Sequence, residues 1–581
     1  MATCKQTNRA RRVALRRQRG AVAMVAAIWI SAAIAAFGAI DVGNFFLVRR
    51  QLQQSADLAA VAAAETIGSA GGCTAATASA QDSATANGLP TSGKVDVLCG
   101  RWDPTANPTS PYFSTTGTPM NAAKVTVNQA VPYFFMVGPA RTLSATATAK
   151  ATNIRSFSIA TSVATLSGGA INGLLNGLLH TSLNLSAVSY QGLASTQVKL
   201  GDLALALGAG SIAELLTTQV TVGQLAAALQ VAANQGNTLS ATLSTALGTI
   251  VAAIPPGAKI SVGSMLSVGL GDPQAAVSAT VTVLDALMVA AEVANGQSAI
   301  DLGVALNLGP IANISAQAMV TQPPVIAVGE AGQNPDGTWR ASAHAAQVRL
   351  FLNLQLVNTQ VGGTSILSSI VKITLLNLPI YIEVGPGTAY LSSTQCSTQR
   401  ATSYSQIVAS TGATAICIGG DASSNLTNTT NPTQCNQPAA ITTVNALGLN
   451  LVNISAGTTS PPSGVNLALQ NSKSTTFTFN GVVGDSDDYQ TTNTNGLGSA
   501  TGGLLAQLAG SLGTSLHASL LGLDVTALLL PVITAIVGLL TPILNSLDAI
   551  LIPLLQLLGV QIGVSTVHDL GLACGQAQLV N

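Results

Sequence analysis

Residues 16–65 read RRQRGAVAMVAAIWISAAIAAFGAIDVGNFFLVRRQLQQSADLAAVAAAE, a basic cluster that runs straight into an apolar one. Ala21 to Ile40 is a run of 20 residues without a charge. As a helix it measures about 30 Å, the hydrocarbon thickness of a bilayer. A secretory signal has a shorter apolar core, about 7–15 residues, followed by a polar cleavage region. Here the small residues Ala33-Ile34-Ala35 lie inside the run. Arg11-Arg12 is the only trace of a twin-arginine export signal. An uncleaved anchor is therefore favoured over a cleaved signal, with Ala21, Trp29, Phe37 and Ile40 in the bilayer. The arginines before the run hold the N-terminal tail on the cytoplasmic side.

The apolar pattern continues beyond the run. Phe45, Val48, Leu52, Ala56, Ala59 and Ala63 follow at spacings of three and four, and no proline interrupts 20–89. One helix is expected from about Val22 to about Ile67, its outer half rich in small residues that let another element approach.

Charge supports an anchored, extracytoplasmic body. Residues 1–50 carry nine of the 22 Lys and Arg and one of the 22 acids, so the rest carries 13 against 21, a balance of −8. That excludes nucleic acid as a partner of the body. Charged residues make up only 8% of the chain, while the apolar share of 48% suffices for a core, which excludes a disordered chain.

The N-terminal segment closely resembles that of TadG-like proteins of the TadE/TadG group, from the tight-adherence (Flp) pilus-assembly systems of bacteria. The shared pattern lies at Arg19–Ala23, Asp41–Gly43, Arg49-Arg50-Gln51-Leu52-Gln53, Ala56-Asp57 and Ala59–Ala64. The resemblance implies a single-pass inner-membrane protein with a periplasmic or extracellular body. Its partners would be the membrane and other pilus-assembly or envelope proteins. Pseudopilin-like members carry Glu five residues after the glycine; the residue here is Val25, so leader cleavage does not carry over. A surface adhesin or structural binding ectodomain on the same stem is the alternative.

The fold class expected is α+β: a transmembrane helix and stem, a β-rich body, and apolar helices near the C-terminus. The divisions expected are a tail over 1–19, the span and stem over 20–67, a small β-rich domain over 68–153, a mixed region over 154–299, antiparallel β structure over 300–518, and an apolar helical segment with a final strand over 519–581. Gly, Ala, Ser and Thr at 68–89 suggest an exposed connection or a frayed helix. Val125, Val127 and Val131 alternate toward a core and Pro132 marks an edge or bend. VKLGDLALALGAG at 198–210 and VTVGQLAAALQVA at 220–232 each read as a strand, a glycine turn and a helix. IDLGVALNL at 300–308 and VRLFLNLQL at 348–356 alternate as half-buried strands, with QNPDGTW at 333–339 as a turn. Pro531, Pro542 and Pro553 recur every eleven residues in the C-terminal apolar run, as a kinked helix or successive short ones. That run is expected to form an apolar helical layer in preference to a second span.

Cys73, Cys99, Cys396, Cys417, Cys435 and Cys574 fit three disulfides in an oxidising compartment. Six cysteines allow 15 pairings. Proximity proposes Cys73–Cys99 and Cys396–Cys417, leaving Cys435–Cys574. No Gly-x-Ser-x-Gly, phosphate loop or HExxH motif occurs. His568-Asp569 lacks a nucleophile motif to serve. Asp421, Ser423 and Asn425 come nearest to the Asp-x-Ser-x-Ser metal-binding pattern of the von Willebrand A-like domain that some TadG proteins carry, but Asn425 departs from its last Ser, and the acids at 484–488 read as a solvated loop. No enzyme activity, cofactor, metal or small-molecule substrate is expected.

Overall fold

A computed structural model of the chain describes residues 10–159, 168–301, 312–357, 372–491, 511–541 and 565–580, apart from single positions and short stretches at 255–256, 258, 297, 374, 398, 413, 429–433, 447–448, 470–473, 513, 521–522, 535 and 539. These divide into two units, Met1–Thr152 with Gly575–Asn581, and Asn153–Cys574.

The first unit is built on α1 (Ala10–Ile67). Its outer part buries Leu52, Ala56, Ala59, Ala60, Ala63, Ala64 and Ile67, a stripe at spacings of three and four. Against it lies α2 (Gly72–Ala86), with Ala76, Ala80 and Ala84 buried. Of the two readings of this stretch, an exposed connection or a frayed helix, the helix is the one present, and it is packed. Alanine every fourth residue gives it an apolar face that composition alone hides. Four antiparallel strands follow: β1 (Lys94–Trp102), β2 (Phe113–Ser114), β3 (Ala122–Val131) and β4 (Arg141–Lys150). The sheet order is β2-β1-β3-β4, and a strand at Gln578–Val580 completes it beside β4. Val125, Val127 and Val131 are buried, and β3 ends at the residue before Pro132. The core of this unit is made of small residues, with 13 alanines among its 17 buried apolar positions.

The second unit combines helices with four larger sheets. Helix Val222–Gln235 shows why the helices form where they do. Thr221 Oγ accepts from Gln224 N at 3.2 Å, and Gln224 Oε1 accepts from Thr221 N at 2.9 Å. Val222, Leu225, Ala226, Leu229, Ala232 and Ala233 then face the core. The two echoing phrases run from strand into helix without a separate turn. Gly201 lies inside the first helical turn, where a Cβ would come within 2.6 Å of the Val277 side chain. Their strands pair with two further copies of the pattern. Val198 faces Val281 and Val220 faces Ile260, each partner again leading into helical turns.

The β part holds a six-stranded antiparallel sheet ordered 299–301, 312–322, 347–357, 375–384, 414–418, 465–469. Val348, Leu350, Leu352 and Leu354 point inward, as their alternation requires. The matching stretch at 302–308 lies outside the described residues. QNPDGTW forms the turn: Thr338 O accepts from Asn334 N at 2.7 Å, and Gly337 takes φ 85°. The C-terminal apolar run has helical turns at 530–534 and 536–538, with Val532, Ile533, Ile536 and Leu540 buried and Leu528 and Leu530 exposed. Pro542 and Pro553 fall outside the described residues.

Candidate functional site

The apolar run and its outer border form the first candidate site. Among the described residues one helix, from Gly20 to Ile67, is long and apolar enough to cross a membrane, and its apolar window has no buried residue. Ala21, Trp29, Phe37 and Ile40 are all exposed. At Asp41 the environment changes. Its side chain is only 1% exposed. The carboxylate accepts from the backbone N–H groups of Phe134 (2.7 Å), Phe135 (3.2 Å) and Met136 (2.8 Å) in the loop between β3 and β4. Three such donors satisfy an ionised carboxylate without a counter-cation. The loop is pinned on both sides of that clamp. Phe135 stacks on Phe37 at 4.6 Å between ring centroids, and Tyr133 meets Phe45 edge-on at 5.0 Å. Positions 37, 41 and 45 share one helical face.

The remaining family-motif residues divide by environment. Leu52 is buried in the stem core, and Asp57 accepts from Gln53 Nε2 at 2.7 Å. Gly43, Arg49, Arg50 and Gln51 face outward, and a Cβ on Gly43 would meet nothing within 4 Å. The motif residues therefore comprise a clamp, a packing face and a free face. Sequence reasoning identified Asp41 but not its partners, which lie 93 to 95 positions further on.

A second cluster lies inside the other unit. Arg155 is fully buried and grips Asp569 with two contacts, Nε to Oδ1 at 2.7 Å and Nη2 to Oδ2. Its Nη1 donates to Asn480 O at 2.8 Å and to Ser405 Oγ at 3.3 Å, and Phe479 lies 5.5 Å from the guanidinium carbon. Burial pushes the Asp569 carboxyl up to about 6 despite the opposing pull of Arg155. His568, the residue before Asp569 in the strand, points the other way. Its Nδ1 bonds Asp285 Oδ2 at 2.9 Å and its ring stacks on Tyr489 at 4.1 Å. His568 and Asp569 are thus in separate interactions. The arrangement cross-links strands from distant parts of the sequence. Nothing in the sequence marked Arg155, a lone cation in an otherwise ordinary strand.

The acids at 484–488 are not uniformly solvated. Asp485 is exposed, whereas Asp488 is 6% exposed and accepts from Gly484 N at 2.6 Å. Burial raises the Asp488 carboxyl above its ordinary range. Asp421 is occupied by the backbone, accepting from Asn436 N at 2.8 Å, and Asn425 Nδ2 donates to Gln434 O at 2.8 Å.

The disulfides correct two expected pairings. Cys73 bonds Cys99, but Cys396 bonds Cys574 and Cys417 bonds Cys435. Cys417 and Cys435, 18 positions apart, flank one turn region and are nearer than the expected Cys396–Cys417 pair, whereas Cys574 follows a strand, Thr566–Ala573, whose partner strand at 154–159 comes from far upstream.

Comparison with known proteins follows these structural divisions. Residues 20–66 match the putative Flp pilus-assembly TadE/G-like family, and residues 61–149 match the putative Tad-like Flp pilus-assembly family. Residues 167–292, the segment with the strand–helix pattern, match a domain of unknown function (DUF8293). No curated protein and no solved structure matches the chain. The two pilus-assembly matches meet within α1 and end in β4, so they cover the clamp, the Ala-rich stem and the sheet it packs on. Residues 20–149 thus resemble TadE/G-like and Tad-like Flp pilus-assembly proteins, and the helix that opens this segment is long and apolar enough to cross a membrane.

Proposed function

We propose that the chain is a non-enzymatic assembly or anchoring factor of a Flp-type pilus. Residues 1–19 lie in the cytoplasm, the span crosses the bacterial inner membrane, and the remaining body is extracytoplasmic. One observation carries this reading. α1 passes without a break from a charge-free stretch exposed on every side to a stretch buried in its own domain. A helix of that kind holds a folded body at a fixed height above a bilayer. The free face at Arg49, Arg50 and Gln51 is available to an envelope partner, and Ala21, Trp29, Phe37 and Ile40 face lipid.

Deletion of the gene tests the role. Loss of pili and of surface attachment, restored by the intact chain, is expected; normal piliation in the deletion strain overturns it. Protease added to intact cells separates the adhesin alternative, which requires the body to be cut from outside.

A further inference from the structure

The loop between β3 and β4 satisfies Asp41, yet its side chains remain largely exposed. Phe134 is 66% exposed, Phe135 52%, Met136 48% and Val137 105%. No charge occurs from Val125 to Ala140. Four large apolar side chains in a row at the tip of a loop are unusual for a water-facing surface. Their position along α1 says what covers them. Phe135 stacks on Phe37, inside the charge-free run and about 6 Å inward of Asp41. Phe37, Ile40, Val42, Phe46 and Leu47 of the helix are exposed at the same level.

Between Arg19 and Arg49 the only charge is Asp41. That stretch of 29 residues measures about 43 Å as a helix, matching a bilayer of about 40–45 Å with its interfacial layers. A carboxylate near the inner edge of such a layer is costly unless satisfied. The N–H groups of residues 134–136 satisfy it, and the same loop turns its apolar side chains outward.

We propose that residues 132–138 form a second membrane contact, inserted into the leaflet on the outer side beside α1, with Asp41 as the clamp that holds it there. The partner is the lipid of the bilayer that α1 crosses, so the proposal rests on the anchor reading. Aromatic residues favour this interfacial level. Two contacts, helix and loop, fix the tilt of the first unit on the membrane where a helix alone leaves it free to rotate.

Tryptophan fluorescence in phospholipid vesicles with brominated acyl chains tests this on the full-length chain. Phe134→Trp adds a reporter at the loop, and Val137→Trp supplies an independent one at a fully exposed position. Trp29→Phe isolates the signal of Trp29 in the span. The expected result is that the emission added by each loop variant shifts to the blue and is lost in brominated vesicles but not in unbrominated ones. Asp41→Ala in the Phe134→Trp background reduces that loss. Quenching of Trp29 with none of the loop reporters overturns the proposal, leaving the anchor intact and pointing to protein or water over the loop. Absence of quenching at Trp29 as well overturns the anchor reading and the proposal together.

Discussion

The two units are packed by opposite means. The stem unit has an alanine core, in which α1, α2 and the sheet approach one another closely and each residue buries little. The larger unit has a core of Leu, Ile and Val, stapled by a buried Arg155–Asp569 pair and by two disulfides. An alanine interface tolerates no added volume; a leucine core tolerates no loss. The first suits a segment that must fit closely against a helix. The second suits a body that must hold its own shape.

The largest expected effect breaks the staple. Arg155→Ala strands a buried carboxylate and lowers the stability of the larger unit by about 3–5 kcal/mol in urea unfolding. Arg155→Met with Asp569→Leu recovers most of that loss; a double variant as unstable as the single one contradicts the assignment. Next, Leu229→Ala empties a fully buried site and costs about 2–5 kcal/mol by the same measurement. The smallest effect comes from the stem. Ala80→Leu overfills the contact with α1 and costs about 1–3 kcal/mol, whereas Ala80→Gly is milder than Leu229→Ala. If the enlarged stem variant proved neutral, the contrast between the units would collapse.

What the sequence made legible follows the strength of each local signal. The span and stem are written in charge and periodicity, and both are local. The inward valines of β3 obey a period of two. α2 is ambiguous between helix and connection because Gly, Ala, Ser and Thr also compose linkers; the spacing of Ala76, Ala80 and Ala84 decides it. The Asp41 clamp joins one carboxylate to three backbone groups, which leave no mark in side-chain sequence. Arg155 and Asp569 are 414 positions apart, and the Cys396–Cys574 bond spans 178. Both depend on sheet topology, which pattern reading does not determine.

The strand at Gln578–Val580 sets an order of events in synthesis. It pairs with β4, whose last residue is Lys150, so 427 residues separate two neighbours in one sheet. Until the last residues are made, the edge of β4 lacks this partner. Exposed edges invite foreign strands. The larger unit lies between the two neighbours in sequence, so its residues are all made before that edge can close. Closure of the stem sheet thus requires that everything between has been made, and a chain interrupted midway keeps the open edge of β4.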